Sequence, residues 1–273
     1  VFAHHLGNPL LDTDADAVTL PHVDGDIMVT TDGFTVEPLE FPGGDIGSLA
    51  VHGVVNDLAV AGADPLYFTV SALIEEGLEV AALDRYITTF ARAARQNHVA
   101  VVAGDTKVVR RGEGSGLYLS IAGIGAKRAR APLDITRIAP GDTVLVSGPV
   151  GDHGIAVMLA REQFGLSGEL RSDSASVLPL AQAVRDLPGL RFMRDPTRGG
   201  LATVAHEIAR ACGHIVILEQ RAVPLRPQVV SVCEMLGYDP YYLACEGRIV
   251  AVADAVAADE ILARWQALPE GAG

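Results

Sequence analysis

The chain has 273 residues, 49% of them apolar, and carries 21 Lys and Arg against 34 Asp and Glu for a formal net charge of −13. That apolar share supports two ordinary domains or one large one, and the acidic excess argues against nucleic acid, whose backbone is held by neutralising cations. Its longer apolar runs, such as Val99–Ala103 and Ile249–Ala253, fall far short of the roughly 18 to 20 residues that span a bilayer, so no membrane partner is expected.

The first residues, from Val1 to Asp16, lack the cationic flank and apolar stretch of a secretory signal, which predicts a cytoplasmic protein. Cys212, Cys233 and Cys245 form no CxxC pair, and their odd number predicts reduced, structural thiols. In chain order, Ile27–Thr31, Leu66–Ala72, Val99–Ala103 and Leu117–Ile124 read as strands. Asp45–Ala61 sets Ile46, Leu49, Ala50, Val54, Leu58 and Ala61 on one helical face, and Leu78–Asn97 does so with Leu83, Ile87, Phe90, Ala91 and Ala94. This alternation predicts an α/β or α+β sheet with helices on one side. Gly112–Gly116 reads as a flexible hairpin loop, and the prolines and glycines from Pro132 to Gly141 separate a domain at 1–132 from one at 133–273. The second part reads as strand Thr143–Ser147, a glycine turn, helix Ile155–Phe164, helix Gly199–Cys212, strand Ile215–Leu218, helix Gln228–Leu236, strand Arg248–Ala253 and helix Ala258–Leu268.

Several acids stand beside small residues or at element ends, where a ligand can reach the backbone. Asp32, in Thr30-Thr31-Asp32-Gly33, ends a strand and serves either a ligand or a turn. Asn56 and Asp57 lie inside an apolar helix, where their burial calls for a metal ion or a hydrogen-bond network. Gly104-Asp105-Thr106-Lys107 follows a strand and suits a phosphate, a divalent cation and a balancing lysine, or else a solvated turn. Arg194-Asp195-Pro196-Thr197-Arg198-Gly199-Gly200 reads equally as an N-cap at Asp195 with its proline and, through its two arginines and two glycines, as an anion site at a helix start. Asp152 and His153 lie in a second such turn, and Glu246, in Cys245-Glu246-Gly247, precedes a strand. No GxxxxGK[ST] loop, no GxGxxG after a strand and no GxSxG elbow occurs. Acids on separate elements beside glycine turns suit metal-bridged phosphate chemistry without such loops.

Seven segments in order carry a resemblance: Phe41-Pro42-Gly43-Gly44-Asp45-Ile46-Gly47, Asn56-Asp57-Leu58-Ala59-Val60, Glu75-Glu76-Gly77-Leu78, Gly104-Asp105-Thr106-Lys107-Val108-Val109, Gly151-Asp152-His153-Gly154, Asp195-Pro196-Thr197-Arg198-Gly199-Gly200 and Glu246-Gly247-Arg248. Together they resemble the HypE family of nickel–iron hydrogenase maturation factors. That family is a branch of the PurM-like superfamily, with aminoimidazole ribotide synthetase, selenophosphate synthetase and thiamine-monophosphate kinase. The resemblance implies a two-domain fold with an N-terminal half that dimerises through its strands, and ATP with magnesium in the cleft between the halves. It implies metal and phosphate ligands at Asp32, Asp57, Asp105 and Asp195, nucleotide contacts at Asn56, Gly104, Thr106, Lys107, Asp152, Arg198 and Gly199, a further acid at Asp16, and catalysis by Glu246, with His153 and Lys107 as further candidates.

The implied reaction is ATP-dependent dehydration of a carboxamide on the family's C-terminal cysteine, giving a thiocyanate that supplies cyanide. A poor amide leaving group would be converted to phosphate, after which a base removes the N–H protons. The implied partners are a second copy, a HypF-type carbamoyltransferase and a HypC–HypD-type scaffold complex. The family's cysteine tail and its glycine-rich N-terminal segment are not in this sequence, so the reading expects a fragment that binds nucleotide without completing turnover. Alternatives are a selenophosphate-synthetase-type enzyme, which calls for a reactive N-terminal Cys or selenocysteine, and a non-catalytic nucleotide-binding scaffold.

Overall fold

The computed structural model describes residues 1–12, 15, 17–161 and 169–271. In chain order its first half runs α1 (Phe2–Leu6), β1 (Ile27–Phe34), β2 (Glu40–Phe41), β3 (Gly44–Asp45), α2 (Ile46–Val60), β4 (Ala63–Glu75), α3 (Val80–Gln96), β5 (Ala100–Val109) and β6 (Leu117–Lys127). Strands β1, β6, β4 and β5 form one sheet in that order, parallel only between β4 and β5. Alternation along β4 turns Phe68, Val70 and Ala72 onto the helices, as a half-covered sheet requires. The opposite face carries Val29 and Leu73 in the open, with Asp105 registered beside Ser71 and Lys107 beside Leu73.

Helix α2 starts where its sequence dictates. Asp45 caps it, accepting from Ser48 N at 2.8 Å while Ser48 Oγ accepts from Asp45 N at 3.1 Å. It is buried on nearly every side, because the sheet, α3 and the second half all pack on it. The Gly112–Gly116 segment is no hairpin. It links β5 and β6, which flank β4 rather than pair with each other. The Glu75 carboxylate at the end of β4 holds it, accepting from Gly112 N at 2.6 Å and Gly116 N at 2.8 Å. The Glu75 motif is therefore scaffolding.

The second half contains β7 (Thr143–Val146), α4 (Asp152–Ala160), α5 (Leu178–Val184), β8 (Leu190–Arg194), α6 (Gly200–Cys212), α7 (Pro227–Leu236), β9 (Val250–Ala253) and α8 (Ala255–Gln266). An antiparallel sheet forms in the order β7-β9-β8. Helix α8 packs on α5 and α5 on α2, and one core cluster runs from Ile46 and Phe68 to Leu180 and Trp265. Ile215–Leu218 forms no strand. It lies along an apolar groove beside β7 with Ile215 and Ile217 exposed. Apolarity supplied no ladder partner there. Sequence reading missed α1, β2, β3, α5 and β8, each too short to show a period. The predicted end of the α4 helix at Phe164, and Asp16, lie outside the described residues.

Where α2 crosses α3, a Cβ on Gly47 would stand 2.0 Å from Tyr86 O and 2.7 Å from Thr89 Oγ1. The Gly47→Ala variant is therefore expected to lose about 1 to 3 kcal/mol through overpacking, read as a lower urea midpoint at unchanged slope.

Candidate functional site

A cavity of about 780 Å³ lies between the two halves, lined by Asp32 and Phe34 of β1, Leu49, Gly53 and Asp57 of α2, Arg194 of β8, and Asp195, Arg198 and Glu246 from loops. His153, Val157 and Arg161 close its other side. Helical spacing explains the α2 contribution, since Leu49, Gly53 and Asp57 recur every four residues on one face. Asp32 reaches the same side because even-numbered positions of β1 face α2, as shown by Thr30 Oγ1 donating to Asp57 Oδ2 at 2.8 Å.

The acids in this cavity strain one another. Burial and then the charge of Asp57 push Asp195 up to about 7, only partly relieved by Arg194. Asp57 is raised by burial and by Asp32, against the Thr30 hydrogen bond and Arg194. Glu246 keeps part of its surface open to the cavity, yet burial and four aspartates, Asp173 foremost and then Asp195, Asp32 and Asp57, drive it well above the usual carboxylate range. Such acids lack compensation and suit a divalent cation. Among the described residues no three His, Cys, Asp or Glu stand close enough to hold an ion by themselves.

His153 is pushed down to about 4 by burial, and its Nδ1 lies 2.9 Å from Ser172 Oγ. So weak a base is poorly matched to neutral pH. Arg198 lines the cavity, and Gly199 beside it adopts φ +76 as the N-cap of α6. A Cβ on Gly199 would meet Thr203 Oγ1 at 2.1 Å. Helix α6 starts at Gly200, so Asp195 is not its cap, and its carboxylate is left for the cavity.

Six expected contacts lie elsewhere. Asn56 is 1% exposed and fully engaged. Its Nδ2 donates to Ala175 O at 3.0 Å and Glu246 O at 3.1 Å, and its Oδ1 accepts from Val177 N at 2.8 Å. Both of its N–H donors are used, and burial keeps the side chain out of the cavity lining. Asp152 is buried outside the cavity lining, paired with Arg226 at 2.7 Å and Arg248 at 3.9 Å. Asp105 and Lys107 are exposed on β5 and paired at 3.1 Å, which holds Asp105 below the usual range. They project from the open sheet face, three strands from β1 and on the side away from Asp32. The strand continues through the segment read as a turn, and its two-residue alternation sends these side chains outward. Gly104 and Thr106 instead border a separate cavity of about 230 Å³ beside α1. Sequence reading passed over Asp173 and Arg161, whereas Arg194 stands in the segment already read as an anion site.

The family model for the AIR synthase related protein N-terminal domain matches residues 13–126, and that for its C-terminal domain matches 139–272. Carbamoyl dehydratase HypE of Cupriavidus necator is 46% identical over 90% of this chain and 70% of its own length. The chain belongs to the HypE family. Crystal structures of HypE agree in fold: that of Escherichia coli HypE superposes with a TM-score of 0.95 at 41% identity, covering 99% of this chain and 86% of that one. A HypE in complex with ATP gives 0.94 at 39%, covering 100% and 81%. A HypE–HypF complex gives 0.88 at 40%, covering 99% and 88%. The fold is thus the two-domain PurM-like one.

Asp195 binds its proton more tightly when folded, so stability rises as pH falls from about 7 toward its unfolded value of 3.8. His52 and His153, both lowered from 6.5 to about 4, act oppositely and cost stability as pH falls from 6.5 toward 4. The Asp195→Asn variant is expected to be more stable than the parent at pH 8, by at least about 1 kcal/mol, with the gain shrinking at pH 5. Urea unfolding at both pH values checks it.

Proposed function

We propose that ATP binds in the cavity between the two halves and drives dehydration of a carboxamide carried on cysteine, the step that supplies cyanide for nickel–iron hydrogenase maturation. The observation that carries this reading is the convergence of Asp32, Asp57, Asp195 and Glu246 on one cavity whose rim holds Arg161, Arg194 and Arg198. Family membership and the likeness to an ATP complex of HypE support it.

Magnesium, when bound, would neutralise phosphate charge, held by one or two of Asp32, Asp57 and Asp195 together with phosphate oxygens and water. The cavity arginines face anionic groups with fixed forks of donors. Glu246, raised by its neighbours, would accept a proton from the carboxamide nitrogen, with His153 a neutral hydrogen-bonding wall. Activity of this kind rests on positioning and charge compensation rather than on a strong nucleophile.

A homodimer through the open sheet face completes this reading. Val29 is 68% exposed and lies on the same face as Leu73, Asp105 and Lys107. Pairing that face would cover the apolar residues and turn Asp105 and Lys107 toward the second copy. A HypF-type carbamoyltransferase is the proposed donor of the carboxamide, supported by the likeness to HypE in a HypE–HypF complex, and a HypC–HypD-type complex the acceptor of cyanide. No described helix is long and apolar enough to cross a membrane, and a cytoplasmic site of action is proposed with the rest.

Calorimetric titration with ATP is expected to show magnesium-dependent binding that Asp57→Asn weakens at least about tenfold, roughly the 1.4 kcal/mol of one charge-assisted contact. Equal affinity with and without magnesium would count against the reading. The Val29→Asp variant is expected to shift sedimentation from dimer to monomer.

A further inference from the structure

Glu246 sits in a bend between elements, so no ladder of helix or strand bonds fixes it. Its backbone is nevertheless gripped on both sides. Glu246 N donates to Asp173 Oδ1 at 3.2 Å and Gly247 N donates to Asp173 Oδ2 at 3.3 Å. The Glu246 carbonyl accepts from Asn56 Nδ2 at 3.1 Å and from Ala175 N at 3.4 Å. One residue earlier, Cys245 N donates to Pro196 O at 3.0 Å, which ties the same bend to the segment of Asp195.

The two side chains in this grip are withdrawn from water. The Asp173 side chain is 0% exposed, with Arg248 Nε 3.6 Å away. Burying a carboxylate is costly without donors, and here two amides donate to it while the Arg248 charge, whose Nε donates to Pro149 O, stands nearby. Gly247 lets Asp173 approach, since a Cβ on it would stand 1.9 Å from the Asp173 carbonyl oxygen. Asn56 precedes Asp57 in α2, so the helix that presents Asp57 to the cavity also holds the carbonyl of Glu246.

We infer that Asp173 and Asn56 are positioning residues: Asp173 clamps the amides of Glu246 and Gly247, Asn56 holds the Glu246 carbonyl, and together they set where the Glu246 carboxyl stands relative to Asp57 and Asp195. The inference rests on the catalytic reading of Glu246 proposed above. A merely structural pair would stabilise the fold without acting through Glu246. A positioning pair loses its effect once the Glu246 carboxylate is gone.

A double-mutant cycle in the full-length protein separates these roles, with the rate of ATP-dependent dehydration measured for Asp173→Asn, Glu246→Gln and the double variant. Asp173→Asn keeps the volume but replaces one acceptor oxygen by a donor. It is expected to lower kcat by about tenfold to hundredfold, the usual cost of a misplaced group, with KM for ATP changed by less than about threefold and the urea midpoint retained. The double variant is expected to be no slower than Glu246→Gln alone. A kcat for Asp173→Asn within about twofold of the parent, or a full additional loss in the Glu246→Gln background, overturns the clamp. If Glu246→Gln itself keeps the parental rate, the catalytic reading of Glu246 fails first and takes the clamp with it. Should Asp173→Asn not fold, the same cycle with Asn56→Ala decides by the same criteria.

Discussion

The arrangement depends on one strap of chain, residues 169–177, that passes between the halves and is bonded to both. Pro42 O accepts from Ser172 N at 2.7 Å, and Ser174 and Ser176 meet His52 and Asn97. Asn56 takes up Ala175 and Val177. These groups are polar and most are partly or fully removed from water, so a bond left unmade leaves desolvation uncompensated. That requirement makes the seam specific: one relative placement of the halves satisfies the whole set, and it is the placement that brings Asp32 and Asp57 opposite Asp195 and Glu246.

The cavity behaves in the opposite way. Where the strap satisfies its polar groups, the cavity leaves its acids in want of a counter-charge and raises Asp195 to about 7. Stability is given up at the site and recovered elsewhere, in the shared core that runs from Phe68 to Trp265. Strain of this kind is relieved by a cation or by the arginine rim when a phosphate arrives, and it gives the site its affinity for charge rather than for shape.

The family motifs divide by what their residues touch. Asp45 caps a helix, Glu75 pins a loop, Asn56 holds the strap and Asp152 anchors two arginines. Gly43, with φ +105, would collide through a Cβ with Ser172 N and O at 2.8 Å, so its place in the motif is a matter of strap clearance. Asp57, Asp195, Arg198 and Glu246 line the cavity instead, and the proposed chemistry falls to them.

Local pattern alone determined most of the scaffold. The apolar run of β4 and the helical spacing of α2 and α3 are properties of short windows, and they stand; of the four acids that the resemblance implied together, Asp32, Asp57 and Asp195 share the cavity and Asp105 does not. That Asn56 needs a hydrogen-bond network was legible, but its partners and those of Asp173 were not, because the groups they satisfy lie 190 and 73 residues away, and a hydrogen-bond partner at that distance leaves no periodicity. Asp105 and Lys107 went astray for a related reason. Sequence located them at a strand, but which face they occupy depends on how far the strand continues and on which side the helices cover, and only the assembled sheet decides both.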